Sequence, residues 1–155
     1  HFDLLIGRNL LQGANQQVLE DWVKQLETLL HAGAEVHLMS SQPQAGPAEL
    51  LNADHAPLIE AEQRWLAERQ PLEQLQELLA AANWNVTQEQ WTDQVSLQVD
   101  SGLITRWFSK QATYRQAMEE QLGDQAIKAL KTSYQKRIGT KLRQTISHQH
   151  LVARR

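Results

Sequence analysis

Two polar residues stand where a short apolar run stops, and they are the first side chains suited to meeting a ligand. Phe2-Asp3-Leu4-Leu5-Ile6 is too short for a helix by itself and halts at Gly7, before Arg8, Asn9, Leu10 and Leu11. That is the pattern of a buried strand ending in a loop. Ligands of α/β folds sit in the crevice beyond the carboxyl ends of parallel strands, so Arg8 and Asn9 are candidates for cofactor or crevice contact. Ser40 and Ser41 join them, because Ser40-Ser41-Gln42-Pro43-Gln44-Ala45-Gly46-Pro47 reads as a loop leaving the next strand on the same side.

The rest of the chemistry is limited by what is missing. The seven glycines are isolated, so no Gly-rich loop of standard spacing cradles a phosphate. The absence of Cys removes thiolate nucleophiles, disulfides and Cys-based zinc sites, and fits a reducing, cytoplasmic compartment. No tight elbow surrounds Ser40 or Ser41, so nucleophilic catalysis is not expected, and no catalytic residue is assigned. His148-x-His150 on a strand places two imidazoles on one face, but without a third ligand nearby a structural role is favoured and no metal is expected. His31 suits a helix C-terminal cation and His37 a strand. Trp22, Trp65 and Trp107 fall on apolar stripes and belong to the core rather than to a base-stacking surface.

These residues must be positioned by a chain of 155 residues, one domain in length, with 41% hydrophobic and 21% charged residues. No apolar window of about 18 residues exists to span a bilayer, so no membrane partner is expected. His1 leads straight into the first strand without cap or initiator Met, as in a piece of a longer parent chain. The net charge of −3 is lopsided: residues 1–102 carry four basic and fifteen acidic residues, and residues 103–155 eleven basic and three acidic. Such a split suits either an anionic partner or attraction between the halves within one fold, the latter being favoured.

In chain order, Gly13 and Asn15 supply a turn and a cap, and Val18, Leu19, Trp22, Val23, Leu26, Leu29 and Leu30 predict a helix over 16–31. Gly33 suits its left-handed C-terminal residue. The run 34–39 follows as a second strand, parallel to the first through a right-handed crossover. Pro57 and Pro71 open two further helices. The segments 84–91 and 95–99 alternate apolar and polar residues, as one bent strand or as a hairpin. Basic helices follow from Leu103, with Ile127, Leu130, Tyr134 and Ile138 as a buried stripe and Lys128, Lys131, Lys136 and Arg137 facing away. The run 145–152 is a last strand, antiparallel to its neighbour.

The phrase Phe2-Asp3-Leu4-Leu5-Ile6-Gly7-Arg8-Asn9-Leu10-Leu11 resembles the fourth-strand motif of class I S-adenosylmethionine-dependent methyltransferases. Leu29-Leu30-His31-Ala32-Gly33 with Glu35-Val36-His37-Leu38 resembles their next helix and fifth strand, with His31-Ala32-Gly33 in place of Pro-Gly-Gly. The likeness covers roughly residues 2–100 and implies a three-layer Rossmann-like, methyltransferase-type partial sheet with parallel strands and late antiparallel strands. Including Leu103-Ile104-Thr105-Arg106-Trp107-Phe108, the pattern is most similar to the extension fused behind replication-associated recombination AAA+ ATPases. The resemblance implies an accessory domain of a larger, DNA-associated protein, with Lys128, Lys131, Lys136, Arg137, Lys141 and Arg143 touching DNA or the parent chain. Its alternatives are the substrate-side half of an active methyltransferase and a plain interaction domain. It implies that the cofactor-holding strands lie upstream of His1, so that this piece binds no cofactor and S-adenosylmethionine belongs to a longer parent. The Asp/Asn-Pro-Pro-Tyr motif of amino-methylating members is absent at Gly7-Arg8-Asn9-Leu10, which disfavours base methylation.

Overall fold

Apolar periodicity resolves into four strands and seven helices in the computed structural model, which describes all 155 residues. β1 (Phe2–Arg8) is followed by α1 (Gln16–Leu29), β2 (Leu30–Pro43), α2 (Pro47–Leu50), α3 (Ala56–Glu68) and α4 (Leu72–Ala81). β3 (Asn85–Gln98), α5 (Ser101–Phe108), α6 (Thr113–Leu122), α7 (Asp124–Gln135) and β4 (Lys141–Arg154) complete the chain. The strands form one sheet in the order β1-β2-β4-β3. β1 and β2 are parallel, with Leu5 opposite Val36 and Gly7 opposite Leu38. β4 runs against β2: the Arg155 N–H donates to the Ala34 carbonyl, and the Gln44 N–H to that of Thr145. This is the predicted α/β sheet of parallel strands followed by antiparallel ones. No helix is long and apolar enough to cross a membrane.

The chain divides into two compact units. The first comprises His1–Gln42, Glu68–Asp93 and Ser147–Arg155. Its core joins Leu19, Val23 and Leu26 of α1 and Leu72, Leu75 and Leu79 of α4 to Val36, Leu38, Leu151 and Ala153 of the sheet. The second comprises Pro43–Ala67 and Gln94–Ile146. Its core is helical, built on Leu58, Phe108, Tyr114, Met118, Ile127 and Tyr134.

Several expectations change for identifiable reasons. β1 is not a buried strand: it lies at the sheet edge, and Leu4 and Ile6 are 51% and 70% exposed. Only the face carrying Leu5 and Gly7 turns toward α1 and α4. α1 begins as expected, with the Asn15 side chain accepting from the Val18 N–H at 3.0 Å, but Val18 and Leu29 are exposed and Trp22 is half-buried. The helix stops at Leu29, so His31 belongs to β2 and not to a helix C-terminus. Gly33 is left-handed (φ 89°), yet inside β2, where Leu30 to Glu35 spans the stretch that Phe2 to Leu4 covers in β1. Ser40–Pro43 are strand rather than loop, because pairing with β4 satisfies a polar backbone that local sequence would leave bare. Residues 85–98 form one strand, not a hairpin. Ile138 lies beyond α7 and is 55% exposed, outside the stripe of Ile127, Leu130 and Tyr134.

Candidate active-site cleft and the polar face of the sheet

A parallel pair ends with its last carbonyls and N–H groups open unless the following residues turn back onto them. Asn9 does this at β1. It takes a left-handed conformation (φ 54°), donates its N–H to the Met39 carbonyl at 2.8 Å and accepts the Ser41 N–H on Oδ1 at 2.9 Å. Beside this clasp lies a narrow cleft, with room of about 10 Å³, lined by Gly7, Asn9, Leu10, Met39, Ser40 and Leu72, among others. It sits at the carboxyl ends of the two parallel strands, where α/β folds bind ligands. The structure brings Asn9 and Ser40 together there. Arg8 and Ser41 do not line it, because successive strand residues point to opposite faces.

Ser41 instead enters a polar array on the other face of the sheet. Its Oγ lies 2.8 Å from His148 Nδ1, and His148 Nε2 lies 3.2 Å from Asp93 Oδ2. Trp91 stacks on the His148 ring, with centroids 5.2 Å apart and planes 18° from parallel. A second chain starts at Arg154, whose Nε donates to Glu35 Oε1 at 2.7 Å; Glu35 Oε2 lies 3.1 Å from His37 Nε2, and His37 Nδ1 lies 3.2 Å from His150 Nε2. The His37 bond and then Arg154 hold the Glu35 carboxyl below the usual range. His31 contacts Asp3, and its ring bond to the Ala32 carbonyl, then Asp3, raises it. No group of three or more His, Asp or Glu is arranged to hold a metal. Sequence reasoning put His148 and His150 on one face but missed their partners, which lie on β2 and β3, and it counted Ser41 as a loop residue.

The six basic candidates all belong to the second unit. Lys128 is paired with Asp124 and Lys131 is half-buried, whereas Lys136, Arg137, Lys141 and Arg143 are exposed. Lys141 and Arg143 flank an open groove with Gln94, Val95 and Ser96. The unit as a whole carries ten basic and eight acidic residues, so the charge contrast seen along the sequence is largely mixed away in space.

The second unit also buries a carboxylate, on α3. Glu62 is fully buried and accepts the Ala48 N–H at 2.7 Å, the Glu49 N–H at 3.1 Å and the Tyr114 hydroxyl. Burial raises its carboxyl above the usual range, partly offset by these bonds. Burial, with the Glu62 charge nearby, also pushes the Tyr114 and Tyr134 hydroxyls far up, so both remain neutral donors. Glu62 therefore closes the start of α2.

Neither a protein-family model nor a curated protein sequence matches the chain. Among solved structures, a candidate methyltransferase from Bacillus halodurans is similar at 10% identity and a TM-score of 0.46, over 97% of this chain and 64% of that one. Phosphoethanolamine N-methyltransferase 2 of Haemonchus contortus, in complex with phosphomonomethylethanolamine and S-adenosylhomocysteine, is similar at 12% identity and a TM-score of 0.42, over 99% of this chain and 33% of that one. The chain thus spans less than two thirds of either protein's length.

Proposed function

We propose that the chain is a methyltransferase-like domain that supplies the acceptor-side half of a ligand crevice and does not itself hold the methyl donor. The observation that carries this is the cleft at the carboxyl ends of β1 and β2, closed by the Asn9 clasp. S-adenosylmethionine does not fit it. Sites for such ligands occupy roughly 300–1,000 Å³, and the room in this cleft is far smaller, about 10 Å³. The Asn9 oxygen is already taken by the Ser41 backbone, no acidic side chain lines the wall, and a Cβ at Gly7 would collide with Leu10 rather than fill a phosphate-type cradle. Titrating S-adenosylhomocysteine into the chain in a calorimeter should give no heat at micromolar concentrations; micromolar affinity refutes the reading. Small amine or hydroxyl fragments should shift the amide resonances of Asn9, Leu10 and Ser40, and a fragment screen that leaves those amides still removes the acceptor role.

A second reading, an accessory domain of a DNA-associated ATPase, draws on the exposed Lys136, Arg137, Lys141 and Arg143. Four phosphate contacts imply weak binding without sequence preference and a slope of log affinity against log salt of about −4. Labelled duplex at low salt measures it, and no binding at high micromolar protein discards the DNA contact.

A further inference from the structure

We propose that Ser41 is a nucleophile able to take an acyl group from an activated ester, with His148 as its base and Asp93 as the positioning residue. β2, β4 and β3 are neighbours in the sheet, and each contributes one member of the array to the same face. α1 and α4 pack on the opposite face, so no helix of the first unit covers these side chains. The Ser41–His148 hydrogen bond and the nearby carboxylate set the roles. Asp93 Oδ2, 3.2 Å from Nε2, favours the ring proton on that nitrogen, which leaves Nδ1 to accept the Ser41 O–H. The ring nitrogens are used in the reverse sense to the common serine-hydrolase arrangement, with Nδ1 rather than Nε2 facing the hydroxyl and the carboxylate beside Nε2. Trp91 holds the imidazole plane from above, and the Asn9 oxygen holds the Ser41 backbone through its N–H. Trp91 is 40% exposed and presents a flat apolar surface beside the hydroxyl, which favours aryl esters of short acids.

The step balances without any further reagent. The Ser41 Oγ–H bond breaks as Oγ bonds to the ester carbonyl carbon, and the proton passes to His148 Nδ1. The carbonyl re-forms as the carbon–oxygen bond to the leaving phenolate breaks, and His148 returns the proton to that leaving group. Water then cleaves acyl-Ser41 by the same path. A phenolate leaves far more readily than the Ser41 alkoxide, so acylation by an aryl ester outruns hydrolysis of the resulting alkyl ester and the acyl form accumulates.

The test is incubation of the full chain with p-nitrophenyl acetate, reading nitrophenolate release and locating acetyl groups by peptide mass. One acetyl per chain on Ser41 is expected. Ser41→Ala should lose it, His148→Gln should slow acylation by about 10²–10⁴-fold, and Asp93→Asn should slow it about tenfold or more. Asp93→Glu, which restores a carboxylate, should recover most of the rate, a rescue that a merely structural Asp93 would not produce. Asp93 is 63% exposed, so its variants fold even if a change at Ser41 does not. Absence of acetyl on Ser41 in the wild-type chain overturns the proposal, as does acylation of His148→Gln at the wild-type rate.

Discussion

Glu62 concentrates in one side chain several costs that are usually spread out. Its raised carboxyl means that the folded state binds a proton more readily than the unfolded chain, so its contribution to stability is fullest below the ordinary carboxyl value of 4.5 and is lost as pH rises through the folded value. Glu62→Gln removes this linkage and sets an amide N–H₂ against a backbone N–H. The variant should be about 1–3 kcal/mol less stable at neutral pH, and denaturant melts should show the deficit widening as pH is lowered toward 4.5. A constant deficit would mean that Glu62 does not titrate as described. Gly46 is tied to the same carboxylate, because a Cβ there would lie 2.5 Å from the Glu62 carboxyl carbon. Gly46→Ala should therefore destabilise by a similar amount, and in Glu62→Ala the same change should cost less but not nothing, because the Cβ of residue 62 still lies 2.9 Å away. In the first core, Leu26→Ala should cost roughly 2–5 kcal/mol, more than Trp22→Ala, since Leu26 is fully buried and Trp22 keeps part of its ring in water.

At the scale of elements, what was legible in the sequence was whatever a short window determines. The helix around Leu19, Val23 and Leu26, the strand before Gly7 and the parallel pairing of β1 with β2 all follow from local periodicity and the crossover rule. What was not legible depends on distant partners. Ser40–Pro43 look like a loop until β4, about a hundred residues away, supplies their pairing, and Ser41 has no visible use until that pairing brings His148 to it. Of the crevice residues chosen from sequence, Asn9 and Ser40 meet in the cleft because each stands just past the last paired residues of β1 and β2, Arg8 and Met39, while Arg8 and Ser41 fall to the other face by alternation. Gly33 was recognised as left-handed from its place after a helix, although the conformation serves an irregularity within β2 instead. Gly33→Ala meets no atom within 4 Å, so its cost is conformational alone, about 1–2 kcal/mol. A melt matching wild type would show that the bulge relaxes.

For the whole molecule, counting charge along the chain misleads, because the second unit gathers acidic residues of α3 with basic ones of α7 and β4. The edge position of β1 has a further outcome in the test tube. A strand with one row of backbone groups unpaired and Ile6 in water is a template on which another extended chain can grow. Concentrated samples should turn turbid at rates rising faster than linearly with protein, from folded material and well below the melting temperature. Ile6→Lys should lengthen the lag and raise the concentration limit while leaving the melt nearly unmoved, since little packing is lost. Equal lag times in the two proteins would place the growing surface elsewhere. Shelf life should then follow the exposed backbone of β1 at this edge of the sheet rather than the strength of either core.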